Sequence, residues 1–380
     1  MKKIAIIGGG IGGLCAAVAL QQKGFDAQVY EKAPQLKAVG AGISLSANAV
    51  LALRQIKLDE PLIQAGNILR HMRILDEKGK QIADTNLEPV EREFGAVNFS
   101  IHRAILHEIL MEHLTPGSLH LGKALSSFQQ HKQVMRCTFE DGAEVSADAV
   151  IAFDGIHSAV RKQLLPELDI RYAGYTCWRA IIDYVPEGWE GHQATETWGR
   201  NGRFGIVPIG HGKLYWFATA NAPEQDQRMR FFGVQELRKH FESYHAPIDD
   251  ILSHTRDEHL IWNDIIDLKP IPQYAFGRVA LAGDAAHATT PNMGQGACMA
   301  IEDAMVIANL LERYGVEEAF QRYESQRMKR THTIVKSSYQ LGKVAQWENK
   351  LLAKLRNIAF RLIPVSVQQK QIRQVYNVKL

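Results

Sequence analysis

With 380 residues, 46% of them apolar and 22% charged, the chain can bury a large core and has the composition of an ordinary soluble globular protein. A net charge of +3 excludes a molecule built as a whole to bind nucleic acid. Four scattered cysteines (Cys15, Cys137, Cys177, Cys298) with no C-x-x-C pair argue against a disulfide framework and a zinc site, and fit a reducing compartment.

The opening MKKIAIIGGG has the basic-then-apolar order of a signal peptide, but its apolar run dissolves at once into glycine and reads as a first strand. No stretch approaches the roughly 20 apolar residues a membrane span needs, so a cytoplasmic protein is expected.

Lys3–Ile7 (KIAII) predicts a buried parallel strand, and residues 11–23, rich in Leu and Ala, predict a helix stopped by Gly24. DAQVYEK supplies a second strand ending at Glu31, which completes a strand–helix–strand unit. Ser100 to Leu114 predicts a helix with Ser100 as N-cap and an apolar stripe through Ile101, Ile105, Leu106, Ile109, Leu110 and Leu114. ADAVIAFDG is a further buried strand that runs into a turn.

Between Tyr172 and Trp262 the texture changes to aromatic and β-branched runs (TCWRAIIDYV, FGIVPI, KLYWFATA) separated by Gly and Pro, the pattern of a sheet. From Val279 the α/β pattern returns. The expected fold is therefore α/β: a Rossmann-type domain (1–71, 99–171 and 270–335) interleaved with a β-rich domain (72–98 and 172–269), then a helical tail (336–380).

Three separated motifs bear on chemistry. In Gly8-Gly9-Gly10-Ile11-Gly12-Gly13 the chain must turn sharply, let its backbone approach a pyrophosphate, and open a helix whose N–H groups face the phosphates. Glu31, followed by Lys32, stands where a carboxylate accepts from the hydroxyl pair of a ribose and repels a 2′-phosphate. A dinucleotide with an unphosphorylated ribose follows, FAD or NAD.

The second motif, LAGDAAHATTPNMGQGACMAIEDA, places Asp284 just beyond a strand, where it can accept a ribityl or ribose hydroxyl. Pro291 stiffens the loop, and Gly294-Gln295-Gly296-Ala297 opens an apolar helix whose positive end suits the negative edge of a reduced isoalloxazine. The third, Asp154-Gly155-Ile156-His157-Ser158-Ala159-Val160-Arg161, follows the strand AVIAF. Contacts near both ends of the chain favour an extended FAD over NAD.

Together these signatures resemble those of the class A FAD-dependent monooxygenases, the p-hydroxybenzoate hydroxylase-like family, across roughly residues 1–330. RYAGYTCWRAII and TTPNMGQGACMAIEDA bring the chain nearer the branch of urate hydroxylase, salicylate hydroxylase-like enzymes and zeaxanthin epoxidase. The resemblance implies a glutathione reductase-like FAD domain and NADH or NADPH as a transient reductant. It also implies hydroxylation of an aromatic, heteroaromatic or polyketide-like molecule by O2 through a flavin C4a-hydroperoxide.

By the same resemblance Arg103 and Asp154 would contact FAD, and Leu125 would meet the adenine side through its backbone. Arg203 and Tyr215 would face the substrate, and Asn292 stands where urate hydroxylase has an acidic residue. No metal is implied, and the chain is expected to act as a monomer or homodimer. Three rival readings are an FAD oxidase or dehydrogenase, an epoxidase of a lipophilic alkene, and a flavin-less scaffold like the prenyl-GTPase escort proteins.

The tail holds nine Lys/Arg against Glu348 alone, a local +8 that leaves −5 for the remainder. Val344, Trp347, Leu351, Leu355, Ile358 and Leu362 recur at helical spacing. Docking of that stripe on the body of the protein is the favoured expectation, and a membrane-surface helix the alternative.

Overall fold

The strand Lys3–Ile7 is apolar on both faces because it is paired on both edges: in parallel with Asp26–Glu31 and in parallel with Ala149–Ala152. In this computed structural model, which describes residues 2–36 and 41–380, these strands form the middle of a six-stranded sheet. Its order is Ala275–Phe276, Val279–Leu281, Ala149–Ala152, Lys3–Ile7, Asp26–Glu31, Leu119–Leu121. The helix Ile11–Gln22, buried from Ile11 through Leu20, lies between this sheet and the long helix Gly296–Arg313.

The β-rich part is a seven-stranded sheet. Its order is Ile261–Leu268, Ile170–Ile182, Leu214–Asn221, Gly202–Pro208, Gln193–Gly199, His71–Asp76 and Gln81–Asn86. One face carries Trp178, Phe204 and Trp216 and is sealed by the helices Val234–His240 and Ile248–Ser253. The strand period of two sends the alternate residues to the other face in three rungs. These are Ile181, Tyr215 and Val207; Arg179, Phe217 and Gly205; and Cys177, Thr219 and Arg203.

The helix expected over Ser100–Leu114 begins later. Residues Asn98–His102 form a strand between Gly42–Leu45 and Asn67–Leu69, and the helix runs Arg103–Glu112. His102, not Ser100, caps it, its Nδ1 accepting from Ala104 N at 3.1 Å. Ser100 is instead buried and donates to the carbonyl of Pro208. Two remote partner strands outweigh the local helical spacing here.

The tail also differs. A single helix runs Val316–Ala345, so the expected boundary at 335/336 falls inside it. The helices Lys350–Arg361 and Val365–Tyr376 follow. The first of these docks on the body through Ala353, Arg356 and Phe360 rather than through the expected stripe, with Phe360 edge-on to Trp198 at 5.0 Å.

Candidate active site

Gly8 and Gly13 serve the backbone crossing itself. At Gly8 φ is +106°, and a Cβ there would sit 2.3 Å from the Phe153 carbonyl oxygen; one at Gly13 would sit 2.0 Å from the carbonyl oxygen of Gly8. Gly12 packs on the Phe153 ring. Gly10 differs: nothing lies within 4 Å of the position its Cβ would take, so this turn opens onto a cleft at the head of the helix Ile11–Gln22.

Glu31 closes the adjacent strand end. Its Oε2 accepts from Gly9 N at 2.7 Å and its Oε1 from Ala33 N at 2.9 Å, which leaves lone pairs on both oxygens for a ribose diol. Lys32 is exposed beside it. Leu125 opens a strand just after Lys123, whose amide donates to the Glu31 carbonyl at 2.8 Å, so Leu125 belongs to this end of the cleft.

The third motif is a self-bonded corner. Ser158 Oγ accepts from Arg161 N at 2.9 Å, and Arg161, buried, donates from Nη1 to Ala285 O at 2.9 Å, tying this corner to the second motif. Asp154 Oδ2 accepts from Val160 N at 3.2 Å, while its Oδ1 is buried with no partner in the protein. Burial pushes the Asp154 carboxyl up.

Asp284 follows the strand Val279–Leu281 and opens to the cleft, although protein crowding around it pushes its carboxyl up against the pull of His287, Arg103 and Arg161. Arg103, first residue of its helix, is within charge reach of Asp284, Arg179 and Tyr215. The three sequence motifs and Arg103 therefore line one cleft.

Pro291 and Gly294 are exposed in the loop before the helix Gly296–Arg313. Gly296 and Ala297 are in its first turn, where amides lack intrahelical acceptors. Gln295 is not available to a ligand in the same way. Its side chain is buried, accepts from Asn48 Nδ2 at 3.0 Å and donates to Ser46 Oγ at 3.1 Å.

Beneath that loop lies an ionic network that the motif reading passed over. Asp303 accepts from Gly283 N at 2.9 Å, faces His287 Nε2 at 2.6 Å and pairs with Arg327 Nε at 2.6 Å. Glu302 pairs with Arg327 and with Arg330, and accepts from Asn48. Burial opposes ionisation of Asp303, but His287 and Arg327 hold its carboxyl well below the usual range. The signal available in the sequence was the pair of adjacent acids inside an otherwise apolar helix.

On the open face of the seven-stranded sheet, the Phe217 ring lies over Gly205, where a Cβ would come within 2.1 Å of it. Tyr215 stands one rung away, and Gly42 approaches it closely. Arg203 is buried and compensated: Nη1 donates to Glu196 Oε1 at 2.9 Å and Nε to Gln346 Oε1 at 3.0 Å, and the guanidinium lies over the Tyr175 ring. Asn292 braces the loop. Its Nδ2 donates to Thr290 Oγ1 and Ser338 O, and its Oδ1 accepts from Tyr175 at 3.1 Å. Glu196, Tyr175, Phe217 and Gln346 were not singled out in the sequence.

FAD fits this cleft by its chemistry: an open glycine turn at a helix head, a carboxylate with spare lone pairs, and a buried orphan oxygen on Asp154. Residues 1–338 match the family model described as an FAD binding domain. The chain belongs to the class A FAD-dependent monooxygenases.

Among the relatives of this flavoprotein monooxygenase, the aurachin C monooxygenase/isomerase of Stigmatella aurantiaca is 40% identical over 95% of this chain and 94% of its own. The 2-heptyl-3-hydroxy-4(1H)-quinolone synthase of Pseudomonas aeruginosa is 30% identical over 98% and 97%. A Klebsiella pneumoniae protein solved with FAD and uric acid superposes with a TM-score of 0.90 at 28% identity, over 98% of this chain and 96% of that one. The FAD-binding α/β domain, the β-sheet substrate domain and the C-terminal helices are those the sequence implied, and the flavoprotein is a monooxygenase acting on small aromatic or heteroaromatic molecules.

Proposed function

We propose that this monooxygenase takes electrons from NADH or NADPH, which binds transiently, and hydroxylates a neutral heteroaromatic bicycle with an apolar substituent, of the 4-quinolone type. The observation that carries this is the compensation of Arg203 by Glu196. A free guanidinium in the substrate site would call for an anionic ligand, whereas this pair carries no net charge, and Asn292 adds none. Phe217, Tyr215 and Ile181 offer an apolar, aromatic wall to a planar ring. The product named for the Pseudomonas relative, a heptyl-substituted hydroxyquinolone, has that chemistry.

When bound, FAD reduced by NAD(P)H supplies the activation of O2, and the chain supplies position and shelter. Gly8, Gly10 and Gly13 admit the pyrophosphate, Glu31 takes the adenosine ribose, and Asp284 takes a hydroxyl of the ribityl chain. The first turn of the helix Gly296–Arg313 stabilises negative charge at the pyrimidine edge of the flavin. Tyr215 and Phe217 orient the substrate ring, and Arg203 holds the end of the sheet on which they stand. Monomers or homodimers would serve equally, since each of these groups comes from one chain.

Substrate-stimulated NAD(P)H oxidation, with peroxide release and incorporation of isotopically labelled O2 measured together, tests the reading. A 2-alkyl-4-quinolone should raise turnover and lower peroxide yield, and salicylate and urate should not. Coupled turnover confined to an anionic substrate would overturn it, as would flavin reduction by the organic substrate in the absence of NAD(P)H.

A further inference from the structure

We propose that the outer face of the two C-terminal helices is a docking surface for the anionic headgroup layer of a phospholipid bilayer. Leu351, Leu355 and Ile358 on the helix Lys350–Arg361, and Leu362 as its C-cap, fall at i, i+4, i+7 and i+11, which places them on one side of it. They are 65%, 52%, 41% and 74% exposed. Val365 and Val367, in the first turn of the next helix, are also exposed, at 65% and 42%. Single apolar residues on a surface need no explanation; a continuous row does.

The opposite side of the same helix is already used. Ala353 is buried, Phe360 packs on Trp198, and Arg356 donates to Ala345 O at 2.6 Å. The helix therefore carries two apolar sides, and the fold covers one.

Charge selects the occupant. Lys350 and Lys354 flank the row on the same helix, and Lys370 lies on the next; among the described residues none of the three joins an ion pair, whereas Arg361 is held by Asp76 and Arg373 by Glu93. Residues 336–380 contain Glu348 as their only acid. An apolar row flanked by unpaired lysines suits acyl chains beneath anionic headgroups. Among the described residues no helix is long and apolar enough to cross a membrane, so the contact is peripheral.

The arrangement also has a geometric consequence. Trp198, on which the inner side of the helix rests, pairs across the sheet with Arg203. A bilayer on the outer side would lie roughly one helix diameter, about 10 Å, from the sheet that carries the substrate face.

Pelleting of the full-length flavin-loaded protein with vesicles tests this directly and reads binding without turnover. Phosphatidylcholine vesicles containing phosphatidylglycerol should carry most of the protein down at low salt. Phosphatidylcholine alone, or high salt, should lower the pelleted fraction several-fold. L355E/L362E should stay in the supernatant with unchanged flavin content and melting temperature, because both positions face solvent.

Three results would each overturn the proposal. One is failure to pellet with the anionic vesicles; another is equal pelleting with phosphatidylcholine alone or by the double variant. The third is a dimer of the wild-type protein in solution that the double variant makes monomeric, which would give the face to a second copy of the chain.

Discussion

Glu196 Oε1 accepts from Arg203 Nη1 at 2.9 Å, and the same oxygen accepts from Trp198 Nε1 at 3.0 Å, so one carboxylate oxygen serves a cation and an indole two residues along its own strand. Arg203 is almost wholly buried, and Glu196 about a quarter exposed. Burial works against the guanidinium charge, and Glu196, together with Tyr175 and Cys177, more than restores it.

E196Q should therefore leave a buried positive charge without its counter-charge. Steady-state kinetics with paired substrates, one neutral and one bearing a carboxylate on the same ring system, should show the variant shifting its kcat/KM ratio toward the anion by about tenfold, roughly 1.4 kcal/mol. An unchanged ratio would mean that Arg203 does not sense the substrate site.

Gly205 to Val should displace the Phe217 ring, because a Cβ at 205 would stand 2.1 Å from it. The expected outcome is a KM raised at least about tenfold, by loss of aromatic contact, with flavin content and its visible spectrum unchanged. F217A should produce the same kinetic defect without the steric clash. If G205V lowers flavin content and F217A does not affect KM, Phe217 is part of the sheet rather than a wall of the substrate site.

D303N removes one of the two counter-charges of Arg327, Glu302 being the other, and all three residues are almost fully buried. Breaking a buried pair from one side costs about 3–5 kcal/mol, and the Asn cannot reproduce all three contacts with Gly283 N, His287 and Arg327. A lower melting temperature of the apoprotein is expected, together with weaker FAD retention. Because the folded carboxyl lies below its ordinary value, its contribution is present above the unfolded pKa, near 4, and is lost as pH falls below that value. The gap in melting temperature between wild type and D303N should narrow there.

His107 sits one turn beyond Arg103 on the same helix, its Nε2 buried without a partner. Burial, then the charge of Arg103, pushes it from its ordinary 6.5 down to about 4. A histidine whose folded pKa is lowered binds its proton more readily in the unfolded chain. Its stabilising contribution is therefore complete above about pH 6.5 and declines as pH falls toward about 4. Urea denaturation across that interval should show a shallower loss of stability for H107Q than for wild type.

Much of the cofactor site was legible because its rules are local. A Cβ at Gly13 would sit on the carbonyl oxygen of Gly8, five residues back, and Glu31 lies at the end of the very next strand, whereas the bar on a side chain at Gly8 comes from distant Phe153. Residues 100–102, the end of the strand Asn98–His102, read as helix because the two partner strands lie about 30 and 55 residues upstream, while the apolar residues at 101, 105, 106 and 109 happen to fit a helical period.

The tail shows the same division. Periodicity in Leu351, Leu355, Ile358 and Leu362 determined that a helix forms with one apolar side, but a period says nothing about which side the body covers. Trp198 decided that by accepting Phe360 and Arg356 on the other side. Likewise the sequence supplied an arginine at 203, and only the fold brought Gln346, 143 positions away, and Glu196 to neutralise and hold it. Local backbone geometry is written in neighbouring residues; the charge and exposure of a side chain are set by whatever long-range packing brings beside it, and that belongs to the tertiary structure.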